Sequence, residues 1–215
     1  MSVAENRTYS FGEEIANSLT HGAGVLVALI GLVVLCAVAA KQGTAWHVIA
    51  CAIYGISLIA CLSCSTLYHA IPSPRWKPTL RVYDHASIFA LIAGTYTPFM
   101  LINLRGVWGW TILAVIWLSA LTGIGLRVFF RGAHHRIVVG LYLLMGWAVL
   151  IATKPMLQHV ATRALWLLAA GGGAFTIGVL FYRAKRTAYM HAVWHGFVLL
   201  GTGLHFFAVR YAVLP

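Results

Sequence analysis

Ten histidines but only four acidic side chains occur in this 215-residue chain, and the spacing of a few of them points to metal chemistry. Ser65 and His69 are four residues apart, as are His191 and His195. In a helix each pair shares one face and points at one centre. Glu5, Glu13 and Glu14 all precede residue 15, so Asp84 is the sole carboxylate of everything that follows. Three neutral imidazoles with an open fourth position suit catalytic zinc, and a nearby carboxylate can hold or deprotonate the metal's water. His69, His191 and His195 are therefore the candidate metal ligands. Asp84 is the candidate base and Ser65 the candidate hydrogen-bond donor, with Glu14, Asn17 and His21 supporting them.

Taken one at a time, these signals are weak. The glutamate of the zinc-protease helix motif is missing, with Ala192 in its place, so His-x-x-x-His proves little alone. A lone histidine in an apolar helix, such as His21, His85 or His205, reads more simply as a hydrogen-bonded packing residue. His205 falls about 15 Å beyond His195 along a helix, in the opposite leaflet and out of reach of the metal. His134 and His135 sit in a basic loop and read as solvated. Cys61-Leu62-Ser63-Cys64 has the spacing of a redox pair but lies mid-helix, where packing is the better reading. No disulfide is expected among Cys36, Cys51, Cys61 and Cys64.

The elements that must position these residues follow from composition. The chain is 61% hydrophobic and 9% charged, against roughly 25% charge in soluble proteins. A bilayer accepts such an exterior provided the backbone is satisfied internally, which helices achieve. Stretches of about 20 apolar residues predict spans at 19–40, 45–69, 83–103, 107–127, 137–153, 164–182 and 189–209. The expected fold is an all-α bundle of seven transmembrane helices forming one domain, 1–215, with a short N-terminal segment, 1–18.

The formal charge of +11 reflects topology. Lysines and arginines fall in short clusters between apolar runs and form no basic stripe interleaved with aromatics, which argues against nucleic acid. Arg7, Arg75, Lys77, Arg81, Arg127, Arg131, Arg136, Arg183, Lys185 and Arg186 lie on one side of the predicted membrane; Lys41, Arg105, Lys154, Arg163 and Arg210 lie on the other. The bias predicts a cytoplasmic N-terminus and, after seven crossings, an external C-terminus. The acidic start lacks a basic n-region, so the first apolar run is not expected to be a cleaved signal. With this orientation Glu14, Asn17, His21, Ser65, His69, Asp84, His191 and His195 all fall in the cytoplasmic leaflet. Pro98, following Thr95, Tyr96 and Thr97, predicts a kink whose freed carbonyls the threonine hydroxyls help satisfy.

Four segments, in order and at span ends, carry a resemblance: Glu14-Ile15-Ala16-Asn17-Ser18-Leu19-Thr20-His21, Ser65-Thr66-Leu67-Tyr68-His69, Asp84-His85 with Ala93-Gly94-Thr95-Tyr96-Thr97-Pro98, and His191-Ala192-Val193-Trp194-His195-Gly196. The chain resembles the bacterial hemolysin III family, related to the progesterone and adipoQ receptors and to alkaline ceramidases. The resemblance implies seven helices, a cytoplasmic N-terminus, and zinc held by His69, His191 and His195 with Ser65 and Asp84 close by. It also implies the bacterial inner membrane and, by analogy with the ceramidases, hydrolysis of an amide or ester lipid. Two other functions remain open: a zinc-stapled regulator or sensor of membrane lipid, and the pore suggested by the family name. No helix face is polar over a length able to line an aqueous channel, so the pore ranks last.

Overall fold

The computed structural model describes residues 9–129, 135–184 and 186–214, without the side chains of His135 and Arg136. His134, Arg7, Arg131 and Lys185 thus lie outside the described residues, as does the His135 side chain. Every regular element among the described residues is helical, and seven helical segments are long and apolar enough to cross a membrane.

Helix α1 (Phe11–Gln42) starts at a capping box. The Glu13 amide donates to Ser10 Oγ at 3.3 Å, and the Ser10 amide donates to Glu13 Oε2 at 2.9 Å. Two otherwise orphaned donors are satisfied reciprocally. This start lies well before residue 19, so the first span is longer than predicted: Glu14 and Asn17 are in the helix, not in a segment before it. The cap places it there, and polar side chains on its inward face do not stop it.

A tight turn at Gly43 leads to α2 (Ala45–Ala70), which packs along the length of α1. Helix α3 (Lys77–Pro98) also begins early, at Lys77 and not residue 83, with Pro78 in its first turn. Proline is tolerated there because the missing N–H had no intrahelical partner. Beyond Pro98 the coil widens into a π-helical stretch, Phe99–Asn103. Thr95 and Thr97 hydroxyls bond the carbonyls of Leu91 and Ala93, at 2.8 and 2.9 Å. The carbonyl that Pro98 deprives of its usual donor is that of Gly94. The hydroxyls thus brace the turn before the proline, while the widened coil absorbs the rest of the distortion.

Helix α4 (Val107–Phe129) follows a turn at Gly106 and packs on α3. The fifth span departs most from expectation. It is α5 (His135–Trp147), a 3-10 stretch (Ala148–Ala152) and a short α6 (Thr153–His159), so the rod runs past 153 and takes Pro155 into the first turn of α6. The Tyr96 hydroxyl sits at the break, donating towards the carbonyls of Met145 and Gly146 at 2.8 and 3.0 Å and accepting the Val149 amide at 2.8 Å. Helices α7 (Thr162–Arg183) and α8 (Met190–Val213) complete the bundle, with α8 packed between α7 and α1.

Small residues let these helices approach, as expected in a membrane. A Cβ on Gly94 of α3 would meet Ser57 Cβ of α2 at 2.7 Å and its hydroxyl at 2.0 Å. Buried Tyr54 ties α2 to α8 through a 3.3 Å bond to the Thr202 carbonyl. The four cysteines are free, and Cys61 is a buried packing residue.

Candidate metal centre

The alternation of helices brings the start of α1, the end of α2, the start of α3 and the start of α8 to one end of the bundle. There the imidazoles of His69, His191 and His195 each offer a nitrogen, and the three nitrogens lie within 4.8 Å of one another. Ring centroids are 5.0 Å apart for His69 and His191, 5.1 Å for His69 and His195, and 4.6 Å for His191 and His195.

Two of these rings are oriented from α1. His69 Nδ1 is 2.6 Å from Glu14 Oε2, so that nitrogen carries the proton and donates it to the carboxylate. The other nitrogen, Nε2, is then a lone pair, and it is buried with no hydrogen-bond partner. The His195 ring is held in the same way at one nitrogen, with Nδ1 3.1 Å from the Asn17 carbonyl. A histidine whose far nitrogen donates to an oxygen, leaving Nε2 bare, is arranged as metal ligands are. The donor set therefore fits a divalent cation: neutral nitrogen ligands, drawn from two helices, with a bare nitrogen that nothing else serves. Asn17 also lies against His69, its Nδ2 3.4 Å from Nδ1.

Asp84 and Ser65 are both buried. Both line a cavity of about 160 Å³ together with His21, His191 and His195. Its remaining walls are mostly apolar side chains of α3, α5, α7 and α8, among them Ile88, Leu91, Val139, Phe175 and Val198. A second apolar cavity of about 270 Å³ shares Thr95, Tyr96, Gly146, Trp147, Gly172 and His205 with the first. A greasy corridor thus leads from the histidines deep into the bundle.

The chain belongs to the haemolysin-III-related family. The family description "Haemolysin-III related" matches residues 9–206. Over 203 residues the chain is 41% identical to "Hemolysin-3" of Bacillus cereus, covering 94% of this chain and 93% of that one. It is 40% identical over 203 residues to the "Hemolysin-3 homolog" of Bacillus subtilis (strain 168), covering 94% and 95% respectively. A more distant likeness, 28% over 207 residues, links it to the human "Monocyte to macrophage differentiation factor", covering 92% of this chain and 83% of that one. This haemolysin-III-related protein is accordingly a multi-pass membrane protein with a histidine cluster able to hold a metal ion.

Several residues at the site were not foreseen. Lys77 enters the sequence reading only as a topological charge, yet its ammonium is 2.7 Å from Glu14 Oε1 and 2.6 Å from the Tyr68 carbonyl. Glu13 accepts the Tyr189 amide at 3.0 Å, tying the start of α1 to the cap of α8. Tyr189 has φ of 61°, an uncommon left-handed conformation for a side chain with a Cβ. The Ser10-x-x-Glu13 spacing was the available signal for this latch. Tyr9 packs on His69 and His191, with centroids 5.7 and 5.1 Å away, and burial pushes its hydroxyl's pKa up so that it stays protonated. No spacing in the sequence marks Tyr9.

His85, set aside in the sequence as a packing residue, joins a polar group behind Asp84. Its Nδ1 is held by the Arg127 guanidinium, its Nε2 is 3.3 Å from the Tyr182 hydroxyl, and its carbonyl accepts from Tyr142 at 2.6 Å. His205, on the far side of the corridor, bonds the Leu168 carbonyl at 3.2 Å and takes no part in the cluster.

Proposed function

We propose that this protein is a zinc-dependent hydrolase of amide or ester lipids, acting from the cytoplasmic leaflet of the bacterial inner membrane. One observation carries the reading: three imidazole nitrogens converge at the polar end of an apolar corridor whose same end presents Asp84 and Ser65. His69, His191 and His195 would hold the zinc, which when bound would supply Lewis acidity and ease the ionisation of water near neutral pH.

The chain's own residues supply the rest. Glu14 and the Asn17 carbonyl fix the rings of His69 and His195, and Lys77 fixes Glu14. The corridor takes an acyl chain and excludes bulk water from the reacting carbonyl, whose carbon lies near Asp84. The Asp84 carboxylate takes a proton from the attacking water, oxygen bonds to the carbonyl carbon, and the carbon–nitrogen or carbon–oxygen bond breaks. The proton on Asp84 then passes to the leaving group, giving a free fatty acid and an amine or alcohol. Ser65 positions Asp84 by hydrogen bonding to it. Orientation rests on the basic-residue bias.

The test uses the purified chain in lipid with N-acyl and O-acyl substrates. Fatty acid release is expected, and His191→Ala and Asp84→Asn are each expected to abolish it without unfolding the bundle. Full activity in both variants rules the hydrolase out.

A second reading, a metal-stapled regulator or sensor of membrane lipid, draws on the ties that Glu14, Lys77, Asn17 and Glu13 make among α1, α2, α3 and α8. It predicts no turnover, with metal removal lowering the melting temperature and altering lipid binding. The word "hemolysin" in the Bacillus relatives' names suggests permeabilisation, which would appear as dye leakage from vesicles indifferent to chelators.

A further inference from the structure

His21 has no task in the reaction above. It is buried, 4% exposed, and lines the cavity beside Ser65, Asp84 and His195. Its ring lies flat on His195, with centroids 3.6 Å apart and planes 12° apart. Neither ring nitrogen makes a hydrogen bond of good geometry; the His195 backbone is close enough to act on the ring without completing one. His205, by contrast, has the Leu168 carbonyl and Tyr54 the Thr202 carbonyl. Buried ring nitrogens without well-formed hydrogen bonds are costly in an apolar interior, so a ligand that completes them is favoured there. That ligand is not the cation. The convergent nitrogens belong to His69, His191 and His195, and the stacked ring of His21 lies in the layer next to His195 instead of aiming at the same point.

A neutral imidazole presents one N–H and one bare nitrogen. An ester-linked lipid offers acceptors at its linkage, which leaves the bare nitrogen unserved. An amide linkage adds an N–H, which fills it. A site that hydrogen-bonds a donor rejects the analogue lacking that donor, because its own buried acceptor is then stranded.

We propose that His21 anchors the polar end of the bound lipid and sets its class: the bare nitrogen accepts the N–H of an N-acyl amide while the ring N–H donates to an oxygen of the same polar end, so amides are held in preference to matched esters. The class of ligand rests on the lipid-hydrolase reading; the preference is measured as binding and needs no turnover.

The probes are N-ethyloleamide and ethyl oleate, which differ at one atom of the linkage and carry no other hydrogen-bond donor. Binding is measured to the full chain in nanodiscs, in an Asp84→Asn background so that neither lipid is consumed. The amide is expected to bind about tenfold more tightly. His21→Phe should bring the two affinities within about twofold of each other while keeping metal content and melting temperature. His21→Gln, which retains a donor and an acceptor, should keep part of the preference. Equal binding of the two lipids with His21 intact overturns the proposal, and so does an undiminished preference in His21→Phe, which would leave buried water as the partner of His21. Should His21→Phe not fold, the comparison with His21 intact and the Gln variant decide. Hydrolysis is followed separately with Asp84 in place; its absence would sink the hydrolase reading and leave the binding result standing.

Discussion

Glu14 does two jobs with one carboxylate: Oε2 orients His69 and Oε1 holds Lys77. Removing its charge leaves His69 free to rotate and Lys77 without its counter-ion. Glu14→Gln is expected to weaken metal binding by about 10- to 100-fold, the usual effect of losing an outer carboxylate, measured by competition with a chromophoric chelator. Lys77→Met should move affinity in the same direction by less, because it acts on His69 through Glu14. An unchanged affinity in Glu14→Gln would mean that the 2.6 Å contact does not tune the ring. The convergence of His69, His191 and His195 was legible because four-residue spacing and alternating helix direction both constrain it. The partners were half legible: Glu14 and Asn17 share a helix face with His21, but nothing in the spacing says which oxygen meets which ring. Lys77 and Tyr9 were invisible, since their roles depend on how the loop after α2 and the segment before α1 fold over the rings.

Among the elements, the contact of α2 with α3 and the broken fifth span test the packing. Gly94→Ala would drive a methyl into the Ser57 side chain, whose hydroxyl is bound to the Tyr54 carbonyl at 2.7 Å. Overpacking of this kind costs about 1–3 kcal/mol, so a clear drop in melting temperature is expected, with some loss of metal affinity because α2 carries His69 and α3 carries Asp84. Tyr96→Phe removes a hydroxyl that serves three backbone groups at the 3-10 break. Amide exchange at Val149 and its neighbours should accelerate while that of α1 and α2 is unchanged; uniform protection would argue that the break is held by packing alone. Element boundaries were the least readable part. Hydropathy marks where a helix is greasy, whereas α1 and α3 extend into polar sequence, α1 from a capping box and α3 with a proline in its first turn.

For the whole molecule, metal and fold should be linked. A cation bound by α2 and α8 stabilises the folded bundle by mass action, so chelation is expected to lower the melting temperature in wild type and to have little further effect in His69→Ala. Equal sensitivity to chelator in both would place the metal elsewhere. The proposed orientation predicts that a reporter fused to the N-terminus is active only as a cytoplasmic enzyme and that one fused to the C-terminus is active only outside; the reverse pattern would invert the leaflet assigned to the site.

Composition and periodicity alone pointed to seven membrane helices, because unbroken apolar runs of about 20 residues match a spanning helix, which satisfies its own backbone, and are too long for barrel strands. Spacing along those helices also determined which residues share an end of the bundle. Which nitrogen of His69 is bare, that Lys77 and Glu13 brace α1 against α3 and α8, and that an apolar corridor opens beneath the histidines were decided only by the tertiary structure. Each depends on the rotation of one helix against another, and that rotation is set by packing among residues far apart in sequence.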